Sequence, residues 1–188
     1  GTDEPVQNIV LAAGERRQVS TRVNQVSPQS VTNVRIISND QLFVQSSTKD
    51  IQRSDSSSTA AMTYSANGWI FADAFMDRGL AGVEFFETLT IKNVDDVDGV
   101  VTVRYLFTNG TFATRTLSIS AGQARSVLLH TEASILNHAR ATWYSIVVNS
   151  SLALTAQLSH WDLLQGGGWV SIGTPLGGVT TLFTAIDV

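Results

Sequence analysis

The chain contains no cysteine among its 188 residues. That excludes disulfides, thiolate nucleophiles, thiolate zinc sites and cysteine-held iron–sulfur clusters. Charge is scarce as well: charged side chains make up 15 % of the chain, 12 basic against 16 acidic, for a net charge of −4. A nucleic-acid binder meets phosphate with a basic stripe or patch, and this composition supplies none. No apolar run approaches the ~18 residues of a membrane-spanning helix. Helical periodicity is almost missing, and only residues 132–138 suit a helical turn or two.

Apolar material is present in quantity. Hydrophobic residues are 43 % of the chain, enough for a real core. The absence of cysteine suits a reducing cytosol, and equally an envelope protein that avoids disulfide chemistry. The start, Gly1-Thr2-Asp3-Glu4-Pro5, reads as a trimmed or processed end.

Strand signals run through the sequence. Residues 145–149 are a short β-branched run, Ser-Ile-Val-Val-Asn. In 100–106, Val101, Val103 and Tyr105 share one face, and Thr102 and Arg104 the other. Asn109-Gly110 follows, and alternation resumes over 111–119, which predicts a hairpin closed by a type I′ turn. Residues 93–99, Asn-Val-Asp-Asp-Val-Asp-Gly, read as a polar connection between strands. Residues 54–59, Ser-Asp-Ser-Ser-Ser-Thr, read as a loop, and the runs 166–168 and 177–178 of glycine mark two more. Short strands at this spacing predict an all-β antiparallel sandwich.

The chain also resembles itself. Ala13-Gly14-Glu15-Arg16-Arg17-Gln18-Val19 matches Ala121-Gly122-Gln123-Ala124-Arg125-Ser126-Val127. Residues 34–40 match 145–151, Gln45 and Asp50 match Gln157 and Asp162, and 68–72 resemble 181–185. The order is kept, with offsets of 108 to 113 positions. Two related modules are expected, an incomplete one over 1–67 and a complete one with a closing strand over 68–188. An incomplete module has unpaired edges, so the copies are expected to share sheets and the chain to self-associate as a homodimer.

Trp69-Ile70-Phe71-Ala72-Asp73 opens the second module. It is followed by Phe85-Phe86-Glu87-Thr88-Leu89-Thr90-Ile91-Lys92-Asn93, the paired runs 100–107 and 111–120, the Ala121-Gly122 turn, and the runs 144–151 and 155–162. This order resembles the sensory rhodopsin transducer-like domain, and also β-modules repeated on bacterial surface proteins, over roughly residues 68–175. The resemblance implies a small antiparallel β-sandwich that self-associates and binds partners through protein surface. Its motifs are strand, turn and core positions with no catalytic content.

The candidates for chemistry are few. His130 and His138 flank Glu132, but not at the i, i+4 spacing of a helical zinc pair. His160 and Asp162 share a strand face with Trp161 opposed, which suits a structural hydrogen bond better than acid–base work. Asp95, Asp96 and Asp98, with Asn93 and Gly99, have the composition of a calcium loop. An EF-hand glutamate is missing, because its place falls on Arg104. A looser turn-bound calcium stands beside the plainer reading of a solvated turn. The run 166–168 lacks the Gly-Lys-Ser/Thr ending of a phosphate loop. Asn109-Gly110-Thr111 and Asn149-Ser150-Ser151 fit the glycosylation sequon, which carries no weight in a chain of bacterial look. The four tryptophans lie in strand-like runs and read first as plugs of the core or of the seam between copies. Trp161 and Trp169 flank the glycine run, and with His160 they are the candidate ligand-binding residues.

No nucleophile–base pair, metal set or carboxylate dyad has supportable spacing, so no enzymatic activity and no cofactor are expected. The expected function is a protein-interaction or structural module of the cell envelope or exterior. A carbohydrate-binding module that uses exposed tryptophan is the alternative, and a cytosolic transducer-like adaptor a third.

Overall fold

The computed structural model describes residues 8–19, 36–50, 55–61, 64–77, 85–137, 141–162 and 167–176. The chain divides into two compact units, 1–32 and 33–188. Among the described residues, ten strands lie in that second unit: β1 Gln45–Asp50, β2 Asp55–Ala60, β3 Ala66–Asp77, β4 Phe85–Asn93, β5 Gly99–Phe107, β6 Phe112–Ile119, β7 Ala124–Leu128, β8 Ala141–Asp162, β9 Gly168–Ile172 and β10 Thr174–Pro175. One four-residue helix, α1 Ala133–Leu136, follows a 3-10 turn at Leu129–Thr131. The fold is all-β and antiparallel, as the strand pattern predicts.

Strand β8 organises the molecule. Its first half pairs with β3 on one edge and β5 on the other, so that Val148 faces both Trp69 and Val103. Its second half pairs with β4 and β9, so that His160 faces both Glu87 and Trp169. The change of partners falls at Ser150, whose hydroxyl donates to the Val100 carbonyl (2.7 Å) and accepts from the Leu152 amide (3.1 Å). Gly99 lies close to this point, where a Cβ would come within 2.6 Å of the Leu152 side chain. The arrangement is sandwich-like. Strands β10, β3, β8, β5 and β6 follow one another on one side, and β9, β8, β4 and β7 on the other.

Even-numbered residues of β8 point inward along its length. Tyr144, Ile146, Val148, Leu152, Leu154, Ala156 and Leu158 are all buried. They join Val101, Val103 and Tyr105 of β5 and Leu89 and Ile91 of β4 in a single core. Each such apolar side chain contributes about 1.5–3 kcal/mol by leaving water. Trp69 is fully buried, and its indole N–H donates to the Leu154 carbonyl at 3.0 Å, which satisfies the one polar atom it brings in.

Two local expectations are corrected. Residues 55–59 are strand rather than loop: β2 pairs with β1 from Gln45 and Ala60 to Asp50 and Asp55. The run hides because strand recognition leans on apolar alternation, and a chain of Ser and Thr pairs its backbone without any. The hairpin at Asn109-Gly110 is present, but its loop has three residues. Leu106 faces Phe112, the Phe107 amide donates to the Thr111 carbonyl, and Gly110 takes a left-handed φ of +82°. The Asn109 side chain accepts from the Thr111 amide at 3.0 Å, which favours this loop over a two-residue turn.

The internal repeat is matched at one turn. Glu15 N–H donates to the Ala12 carbonyl with Gly14 at φ +75°, and Gln123 N–H donates to the Ser120 carbonyl with Gly122 at φ +63°. Beyond the turns the matched segments agree only in part: Gln45–Asp50 and residues 157–162 both lie in strands. Strand β7 follows Gly122, whereas 15–19 form no strand, and 36–44 form none opposite the strand residues 145–151. Residues 181–185 lie outside the described residues.

Candidate functional site

Two places hold side chains whose arrangement asks for an explanation. The first is interior. Glu87 sits on the inward parity of β4, with Leu89 and Ile91, and is fully buried. Burial of a carboxylate is costly unless donors surround it. Here Oε1 accepts from the Phe75 amide (3.0 Å) and from His160 Nδ1 (2.9 Å), and Oε2 accepts from the Tyr144 hydroxyl. The donors come from β3 and from both halves of β8, so one carboxylate ties the two sides of the molecule together. The Tyr144 hydroxyl is held well above its ordinary pKa, first by burial and then by the Glu87 charge. His160 is closed off by rings, with Trp169 stacked on it at 5.3 Å and Phe85 tilted against it at 5.1 Å. On the far side of Glu87, His130 Nδ1 donates to its backbone carbonyl at 3.3 Å, and the His130 ring packs on Phe86 at 4.2 Å.

The second place is the outer face of β6, β5, β8 and β3. Trp143 is 54 % exposed there, although its sequence setting suggested core. Its ring rests on Phe75 at 4.5 Å, and Phe75 in turn meets Phe85 edge-on at 5.5 Å, so the indole is braced. The register of β3 on β8 slips between Phe71 and Ala74, a bulge that leaves Ala72 and Asp73 exposed opposite Ser145. The slip opens a shallow depression of about 240 Å³ lined by Ala72, Leu106, Thr108, Trp143 and Ser145. Beside it, Arg104 lies over the exposed Phe112 ring at 4.7 Å.

The residues singled out from sequence are placed as follows. His160 does pair with a carboxylate, but its partner is Glu87 rather than Asp162. Trp169 lies on its ring, and Trp161 lies on the opposite face over Gly168. Both tryptophans are half-buried, so the exposed tryptophan is Trp143. In the acidic turn, Asp95 Oδ2 accepts from the Ala153 amide (2.8 Å) and Asp98 Oδ1 from the Ala121 amide (2.8 Å). The buried Asn93 donates to the Val97 and Ser120 carbonyls. Asp96 is exposed. The turn thus docks its carboxylates on neighbouring backbone, and among the described residues no three His, Asp or Glu side chains gather as metal ligands. His138 lies outside the described residues. Glu87 escaped attention, yet its parity with Leu89 and Ile91 was the signal for it: a charged residue on the apolar side of a strand.

No family model matches the chain, and no curated protein matches it. Among solved structures, the fold is similar to that of the crystal structure of Thermotoga maritima 1070, with a TM-score of 0.51 and 24 % identity, covering 61 % of this chain and 97 % of that one. The Anabaena sensory rhodopsin transducer also matches, at a TM-score of 0.41 and 15 % identity over 51 % of this chain and 97 % of that one. The first likeness is one of fold. The second is too loose to bear on function.

Proposed function

We propose that the protein is a non-enzymatic interaction module that binds protein through the outer face around Trp143, and that a second copy of this chain is the partner it fits. The observation that carries this reading is the braced, exposed indole, set beside Phe75 and Leu106. Large aromatics that are rigid and exposed give contact area at small entropic cost, which is why they dominate interface energetics. Arg104 and Asp73 lie on the strands either side of β8, both exposed. A twofold axis through β8 therefore sets each strand's charge toward its opposite, as a self-complementary interface requires. The absence of enzymatic activity is part of the same reading: Glu87 and His160 are sealed inside the core and have structural partners. Assignment to the cell envelope or exterior rests on the sequence resemblance alone.

A carbohydrate reading draws on the same indole, because Thr108 and Ser145 line the depression beside it. Light scattering over a concentration series separates the two. Self-association of the wild type, weakened roughly tenfold by Trp143→Ala (~1.4 kcal/mol) with the melting temperature unchanged, supports the protein interface. A monomer at every concentration, with Trp143 fluorescence responding to oligosaccharide, transfers the face to carbohydrate.

A further inference from the structure

Residues 129–136, between β7 and β8, cross from one side of the molecule to the other. The 3-10 turn lies on β4, and α1 reaches β6. Leu129 and Ile135 are its fully buried side chains. Local structure gives the segment little support. The helix has four residues and no side-chain cap, far below the length at which a helix holds itself in water. Among the described residues, its attachment includes those two apolar side chains and two polar contacts. Glu132 pairs with Arg115, which reaches it from the inner side of β6. His130 donates to the Glu87 carbonyl and packs on Phe86.

We propose that this segment is a strap, closed over the core while His130 is neutral and released when His130 takes up a proton. The geometry suits a neutral ring. His130 is 8 % exposed, one nitrogen is bonded to a backbone carbonyl, and one face lies on a phenyl ring. Among the described residues, Glu87 is the charged group that acts on it, and the titratable groups bonded to Glu87 form one cluster with it. Glu87 faces it from β4. Tyr144 and His160 of β8 are bonded to the Glu87 carboxylate. Glu132 lies two residues along the strap and is held by Arg115 of β6. Burial lowers the His130 pKa from its ordinary 6.5, and it outweighs the carbonyl bond and the Glu87 charge, which both act in the other direction. The sign follows. The closed strap binds the proton less readily than the free segment, so its stabilisation is complete above pH 6.5 and is lost as pH falls through the closed-state pKa. Release exposes Leu129 and Ile135.

Hydrogen exchange of the full chain at pH 7.5 and 5.5, corrected for intrinsic rates, tests this. The strap amides of Ile135, Leu136 and Asn137, which are hydrogen-bonded within the segment, are the readout, and those of β5 and β6 the reference. Protection of the strap is expected to fall roughly tenfold at the lower pH while the reference holds. His130→Gln keeps an amide donor for the Glu87 carbonyl and removes the titration, so the pH dependence should vanish. Strap protection that tracks β5 and β6 at both pH values overturns the proposal, and so does a pH response that survives in His130→Gln. If that variant does not fold, the wild-type His130 ring resonances serve. Their titration must coincide with strap opening, and titration without it overturns the proposal equally.

Discussion

Glu87 is the residue on which the interior turns. Three donors, the Phe75 amide, the Tyr144 hydroxyl and His160 Nδ1, converge on its two carboxyl oxygens. Truncation leaves the Tyr144 hydroxyl, the His160 ring and the Phe75 amide without their acceptor in a dry core. Glu87→Ala should cost about 3–5 kcal/mol, the range for breaking a buried charge network. Glu87→Gln keeps the shape and one acceptor oxygen and should cost about 1–2 kcal/mol. Urea denaturation of the two variants checks this, and equal losses would show that the cavity, not the hydrogen bonding, sets the energy. Tyr105 is the opposite case. Its buried hydroxyl has no hydrogen-bond partner among the described residues, and burial pushes its pKa up to about 12. The neutral phenol is stabilised in the fold, so this contribution is whole below pH 10 and is lost between about pH 10 and about 12. Thermal melts across that window should show a decline that is smaller in Tyr105→Phe.

At the scale of elements, much was legible and the exceptions have physical causes. Alternation in Val101, Val103 and Tyr105 marks the inner face of β5 directly, because one face is buried and the other is not. The polar connection 93–99 reads correctly from its composition, whereas the docking of Asp95 and Asp98 on distant backbone leaves no local trace. Strand β2 was hidden because nothing in it but its last residue, Ala60, is apolar. Trp143 misled for a related reason: it lies in a strand, and only its odd parity against Tyr144 and Ile146 places it outside. Strand β9 depends on a close approach that composition only hints at. A Cβ on Gly168 would lie 2.6 Å from the Trp161 ring and 2.7 Å from the His160 carbonyl. Gly168→Ala is therefore expected to push β9 off β8, at about 1–3 kcal/mol, and to disturb the stacking of Trp169 on His160. Trp fluorescence read against the melting curve checks this; a native spectrum and unchanged melting would mean that β9 has room to shift.

For the whole molecule, one long strand with different neighbours on its two halves turns a string of short strands into a single core. That design fixes which surface is left outside. The face of β6, β5, β8 and β3 carries Phe112, Leu106 and Trp143, with Arg104 exposed on β5 and Asp73 exposed on β3, and this face bears the proposed function. Sedimentation equilibrium of four proteins tests it most directly: wild type, Arg104→Asp, Asp73→Arg and the double exchange. If two copies meet on this face about a twofold axis, each single exchange sets like charges against each other and weakens the dimer, and the double exchange recovers much of the loss. Single exchanges that leave association unaltered, or a double exchange as weak as the sum of the two, would contradict a self-complementary interface at Trp143.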